Sequence, residues 1–151
     1  MKNLFICLFG TLIFNSLSAQ FIAKMEVKGP LPGACDSTNV YALFSGFDGQ
    51  VQPKCSITKE ELELKLNAEV KFLLNNPKFK GKLMVSCIIN CKGELIKCEI
   101  DNKSGNDELD NEVVKVFRSP QEWTAGTFNG NGVDCVMLYS MEVKKGKLKF
   151  S

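Results

Sequence analysis

Seven cysteines and no histidine set most of the chemistry open to this chain. Cys7 falls in an N-terminal apolar stretch, which leaves Cys35, Cys55, Cys87, Cys91, Cys98 and Cys135. Six cysteines in a short exported chain predict one or more disulfides, although six allow about 15 connectivities. A metal site is the rival reading, at Cys87-x3-Cys91-x6-Cys98. Structural zinc sites usually show a CxxC pair or histidine ligands, and neither is present, so no metal or cofactor is expected. The Cys87/Cys91 spacing also differs from the C-x-x-C of thiol oxidoreductases.

Without histidine the commonest general base is missing. Carboxylates pair at Asp107-Glu108 and Asp110-Glu112, in the first turns of a predicted helix, where negative charge favours the positive helix end. Ser45-Gly46 and Ser104-Gly105 read as turns, and no G-x-S-x-G elbow occurs. Gly126, Gly130 and Gly132 do not open a helix after a strand, so they make no dinucleotide fingerprint. Trp123 reads as a core plug. No catalytic constellation remains, and the chain is read as not an enzyme.

Net charge is +2, with 19 basic and 17 acidic side chains. A nucleic-acid binder would show a basic stripe; the clusters Lys78 to Lys82 and Lys144 to Lys147 read as solvated strand ends. At the N-terminus, basic Lys2, apolar Leu4 to Phe14 and small or polar Asn15 to Ala19 stand in the order of a secretory signal. The apolar stretch is shorter than the roughly 20 residues that span a bilayer. Cleavage is expected near Ser18 or Ala19, giving a soluble periplasmic or secreted product. Residues 1–19 are thus read as signal peptide, 20–54 as an irregular N-terminal arm with turns at Gly29 to Gly33 and Gly46 to Gly49, and 55–151 as one domain. A short strand is expected at Val40 to Phe44.

The elements of that domain follow from pattern. Thr58 and Glu61 form a capping box, with Ile57 and Leu62 as its hydrophobic staple. Leu62, Leu66, Val70, Leu73 and Leu74 continue at helical spacing until Asn75-Asn76-Pro77. Lys82 to Cys91 and Glu94 to Ile100 read as a hairpin turning at Lys92-Gly93. Its register sets Ile89 against Ile96, Cys87 against Cys98 and Val85 against Ile100, so all six share one face. A second helix runs from Asp107 to Ser119, with Leu109, Val113, Val116 and Phe117 as its stripe, closed by Pro120. A loop carries Trp123 and Asn129 to Gly132, and Val133 to Val143 is the last strand. Gly146 marks a turn before a basic tail. Two amphipathic helices over one face of a three-stranded antiparallel sheet satisfy this α-β-β-α-β order, a two-layer α+β sandwich.

From about Gly81 to Val143 the chain resembles the C-terminal domain of TonB. Val85, Cys87, Ile89, Gly93 and Leu95 fall on that family's hairpin pattern. Leu109-Asp110, with Val113, Val114 and Phe117, matches the opening of its second helix. Trp123 to Gly126, Asn129-Gly130 and an alternating final strand follow in the family's order. Ala125 stands where the family has proline, Ser140 to Val143 replaces the usual ending, and no proline-rich spacer is present. The resemblance implies a protein-binding module, accepting an extended peptide from the cell envelope, such as a segment of an outer-membrane transporter, by adding a strand to its sheet.

Two site expectations complete the reading. A helix of about 18 residues spans roughly 27 Å and ten strand residues roughly 33 Å, which brings Cys55 near Cys91. A Cys55–Cys91 bridge is therefore expected, with Cys87–Cys98 as its rival. The partner edge is expected on the last strand, where Val133, Cys135, Met137, Tyr139, Met141 and Val143 share one face and Val136 and Leu138 lie on the other. Self-pairing into a homodimer would use the same edge. The competing reading is a disulfide-stabilised structural protein of the envelope whose edge is already covered.

Overall fold

The computed structural model describes residues 22–26, 29–119 and 121–151. The expected signal segment, its cleavage point and Pro120 lie outside the described residues.

The arm contributes four short strands, β1 (Ala23–Glu26), β2 (Asn39–Ala42), β3 (Gln50–Val51) and β4 (Lys54–Cys55). Next comes α1 (Lys59–Glu69), opened by the Thr58/Glu61 capping box in full: Glu61 N–H donates to Thr58 Oγ1, and Thr58 N–H to the Glu61 carboxylate. The single expected helix breaks at Val70, whose backbone is extended, and restarts as α2 (Lys71–Asn75). The break turns Phe72 and Leu73 inward and leaves Leu74, expected in the stripe, 70% exposed. Glu112, from the next helix, accepts the Phe72 N–H at 2.9 Å and so caps the restart.

The hairpin is β5 (Gly81–Ile89) and β6 (Leu95–Asn102). Cys87 opposes Cys98 and Val85 opposes Ile100, as the alternation required. At the tip the register departs: Ile89 faces Leu95, and Ile96 occupies a bulge. Cys91 has left the strand, and Asn90 closes the turn instead, its N–H donating to Glu94 O at 2.9 Å. Then follow α3 (Asp107–Arg118), capped by Asn106, and four more strands: β7 (Trp123–Thr124), β8 (Gly126–Phe128), β9 (Asn131–Val133) and β10 (Cys135–Lys144). The basic tail is itself a strand, β11 (Lys147–Phe150), folded back on β10 through a turn with positive φ at Lys145 and Gly146.

The architecture is α+β, and its main sheet is wider than the three strands expected: the order is β1-β2-β10-β5-β6, with β11 also on β10. Most ladders are antiparallel, while β2 meets β10 in a parallel bridge at Cys135 and Tyr41. Two smaller sheets, β3-β8-β9 and β4-β7, join the arm to the loop after α3. The core gathers Leu62 and Leu66 of α1, Val113 and Phe117 of α3, Val85, Cys87 and Ile89 of β5, and Met141 and Val143 of β10. Trp123 plugs this core at 8% exposure.

Candidate functional site

A protein-binding sheet needs free main-chain groups, so the edges decide what this fold can do. On β10 one side is paired to β5 from Cys135 to Val143. The other side holds β2 at Cys135 and β11 from Met141 to Lys144, and Ser151 N–H donates to Ser140 O at 3.0 Å. The expectation of a free last strand is thus corrected. The arm and the tail, whose strands the sequence reading did not place, take most of that side. Among the described residues, Val136 to Ser140 have no strand opposite them there, the Ser140 carbonyl being met by Ser151, and Leu138 within this gap is 55% exposed. Val133 belongs to β9, and Cys135, Met141 and Val143 are buried in the interior. Tyr139 packs its ring against Phe117 and Phe150, and burial raises its hydroxyl pKa.

The edge of β11 is sealed by side chains of α1. The Asn67 carboxamide bonds both main-chain groups of Leu148, donating to its carbonyl and accepting its N–H, each at 2.9 Å. Glu63 accepts the Phe150 N–H at 3.1 Å. A helix side chain here does the work of a neighbouring strand, which removes a pairing surface.

The outer side of β6 is different. Among the described residues, no strand pairs with it along Leu95–Asn102. Cys98 turns its main-chain groups outward, because its carbonyl accepts from Arg118 Nη2 at 2.7 Å. Ile100, two residues on in the same register, has the same phase. Two shallow grooves of about 430 and 490 Å³ lie along this edge and share Cys98 and Arg118 as walls. The first adds Leu95, Ile96 and Lys97; the second adds Ile100, Asp110 and Val114. Charges of both signs mix along the two: Arg118 walls each groove, Lys97 pairs with Glu99 at 2.6 Å, and Lys103 pairs with Asp107 at 3.0 Å. Asp110 is 5% exposed; one carboxylate oxygen accepts the Ser104 N–H, and the other has no partner among the described residues.

The arm is fastened at the hairpin tip by a disulfide between Cys35 and Cys91. This corrects the expected Cys55–Cys91 bridge. Cys55 stays a thiol and donates to Gln121 Oε1 at 2.9 Å, because β4 pairs with β7 and holds it beside Trp123. Asp134, 1% exposed, accepts the N–H groups of Cys35 and Asp36 on one oxygen and of Cys91 on the other. Asn90 adds a bond from its carboxamide to Gly33 O at 2.8 Å. Cys35, Cys91 and Asp134 are the only metal-like cluster among the described residues, and the disulfide uses both of its sulfurs. Cys87 and Cys98 touch at 3.8 Å without a bond, and Cys135 is buried with its thiol pushed up to about 12 by desolvation.

Residues 77–142 match the family model of the Gram-negative bacterial TonB protein C-terminal. Over those 66 of its 151 residues the chain is similar to the TonB C-terminal domain. The match takes in the hairpin, α3 and nearly all of β10, and it leaves outside it α1, β11 and the arm that bears Cys35. Comparisons with curated proteins and with solved structures found no match. In this TonB C-terminal-like domain the arm and β11 therefore cover a strand that the family resemblance alone would leave at an edge.

Proposed function

We propose that the protein is a non-catalytic protein-binding module of the cell envelope, and that its partner lies as an extended segment along the outer edge of β6. The TonB C-terminal-like domain supports a periplasmic interaction role at the level of the family. The observation that carries the position is the unpaired outer side of β6, eight residues long and backed by α3, in a sheet where β10 and β11 are largely closed. The other terminal strand, β1, has four residues and, among the described residues, pairs only with β2. Main-chain bonds to Cys98 and Ile100 would supply affinity, and a bond to Arg118, the charge both grooves share, would set direction. A segment placing a carboxylate at Arg118 would compete for the guanidinium that now holds the Cys98 carbonyl.

The gap at Val136 to Ser140 favours a second reading, strand addition at the last strand over a short span around exposed Leu138. A segment from an outer-membrane transporter, or a second copy of this chain, would serve as the partner in either reading. Photo-crosslinking residues placed singly at Lys97 and at Leu138, in cells that make the protein, separate the two. Crosslinks to an envelope protein from position 97 support the β6 edge. Crosslinks from position 138 alone move the site to β10, and silence at both leaves the structural reading, a covered and stapled envelope protein.

A further inference from the structure

We propose that Cys87 and Cys98 are a dithiol site that an external disulfide closes, giving the exported protein a second, cross-strand bridge. The two residues face each other directly across β5 and β6. Because the Cys98 carbonyl points outward to Arg118, the pair does not exchange main-chain bonds with each other. Such non-hydrogen-bonded pairs hold their Cα atoms about 4.5 Å apart, inside the range a disulfide spans. The sulfurs are already in contact at 3.8 Å, at 0% and 1% exposure. Rotation about the side-chain torsions is all that separates this contact from a bond of about 2.0 Å.

Two further observations bear on reactivity. The Cys35–Cys91 disulfide marks the chain as one that meets oxidants. Cys98 belongs to β6, which has no outer neighbour among the described residues, so opening of that edge uncovers its sulfur before that of Cys87 on the inner strand. The Cys87 hydrogen bond and the adjacent Arg118 favour the Cys98 thiolate, while Cys87 holds its proton.

The chemistry is thiol–disulfide exchange. The Cys98 thiolate attacks one sulfur of a disulfide-bearing oxidant, such as an envelope protein disulfide or glutathione disulfide. A mixed disulfide forms, and one thiolate of the oxidant leaves. Cys87, losing its proton to solvent, then attacks the Cys98 sulfur, forms the Cys87–Cys98 bond and expels the second thiolate. Two electrons pass to the oxidant, which ends as two thiols, and the protein loses two protons. The product ties β6, paired on one side only, covalently to β5.

The test is peptide mapping of the full chain from an oxidising compartment, and of reduced, folded protein incubated with glutathione disulfide. Samples are quenched in acid, then alkylated under denaturing conditions so that no exchange follows unfolding. The expected result is a Cys87–Cys98 linked peptide, with only Cys55 and Cys135 alkylated of the four unbridged cysteines among the described residues. Alkylation of all four in both samples overturns the proposal, as does linkage of Cys87 or Cys98 to any other cysteine. Amide exchange adds a second readout: Glu99, which faces Ser86 in the inward phase of β6, should exchange more slowly in the closed form than after reduction.

Discussion

The Asp134 carboxylate receives the Cys91 amide at 2.9 Å while its other oxygen receives the Cys35 amide at 2.8 Å. One buried anion thus gathers the backbones of both halves of the disulfide it adjoins. Replacing it, Asp134→Ala, strands those amides and that of Asp36. Loss of such charge-assisted bonds costs about 3 kcal/mol, read as a lower urea midpoint at unchanged slope.

The bridge itself spans 56 residues of sequence. Closing a loop of that length restricts the unfolded chain by about 4 kcal/mol in the loop-entropy account. Cys35→Ala should lower stability by up to that amount. Because Asp134 binds the same backbone, the double variant should lose less than the sum of the single losses, measured in a double-mutant cycle.

Thiol reactivity should sort by burial. Cys55 is half-buried, whereas Cys135 is buried and its thiol is held up at about 12, chiefly by desolvation. A small alkylating agent at pH 8 should label Cys55 in the native protein and leave Cys135 untouched until denaturant is added, as mass spectrometry would show. Fast native labelling of Cys135 would contradict its burial.

Asp36 lies at the surface beside the bridge, and its carboxylate takes the Thr38 hydroxyl, the Thr38 N–H and the Asn39 side chain. These bonds lower its pKa from 3.8 to about 2. A lowered folded value means that the contribution is complete above 3.8 and is lost as pH falls through about 2. Carboxyl NMR shifts should place the Asp36 midpoint near 2, and Thr38→Ala should return it toward 3.8.

Asn67 stands in for a strand beside Leu148. Asn67→Ala leaves both main-chain groups of Leu148 without that partner, a loss of about 2 kcal/mol. It also uncovers an edge, so the variant should associate with concentration more strongly than the parent in light scattering.

Much of the domain was legible because its signals are local. Thr58 and Glu61 specify a capping box by spacing alone, and Val85, Cys87, Cys98 and Ile100 fix a register by alternation. The break at Val70 was not legible, since the group that caps the restart, Glu112, comes from a distant helix. The covered edge of β10 was hidden for the same reason: β2 reaches it from more than 90 residues away, through the Cys135 and Tyr41 bridge. β11 had a nearer signal. Leu148 and Phe150 alternate after the Lys145-Gly146 turn, which is hairpin grammar in a segment dominated by lysine. The disulfide partner escaped because Cys35 lies in an arm without periodicity, placed by Asp134 and Asn90 rather than by any pattern of its own.

The Cys35–Cys91 link also makes a closed covalent circuit of the chain between them, threading β2, both helices of the first half and β5. A protease that cuts the projecting turn at Phe47, which is 46% exposed, would open that circuit without releasing a fragment. The nicked molecule would keep its mass, apart from one added water, and would separate into two pieces only on reduction. The exposed turn is therefore a place where the protein can be cut and remain whole.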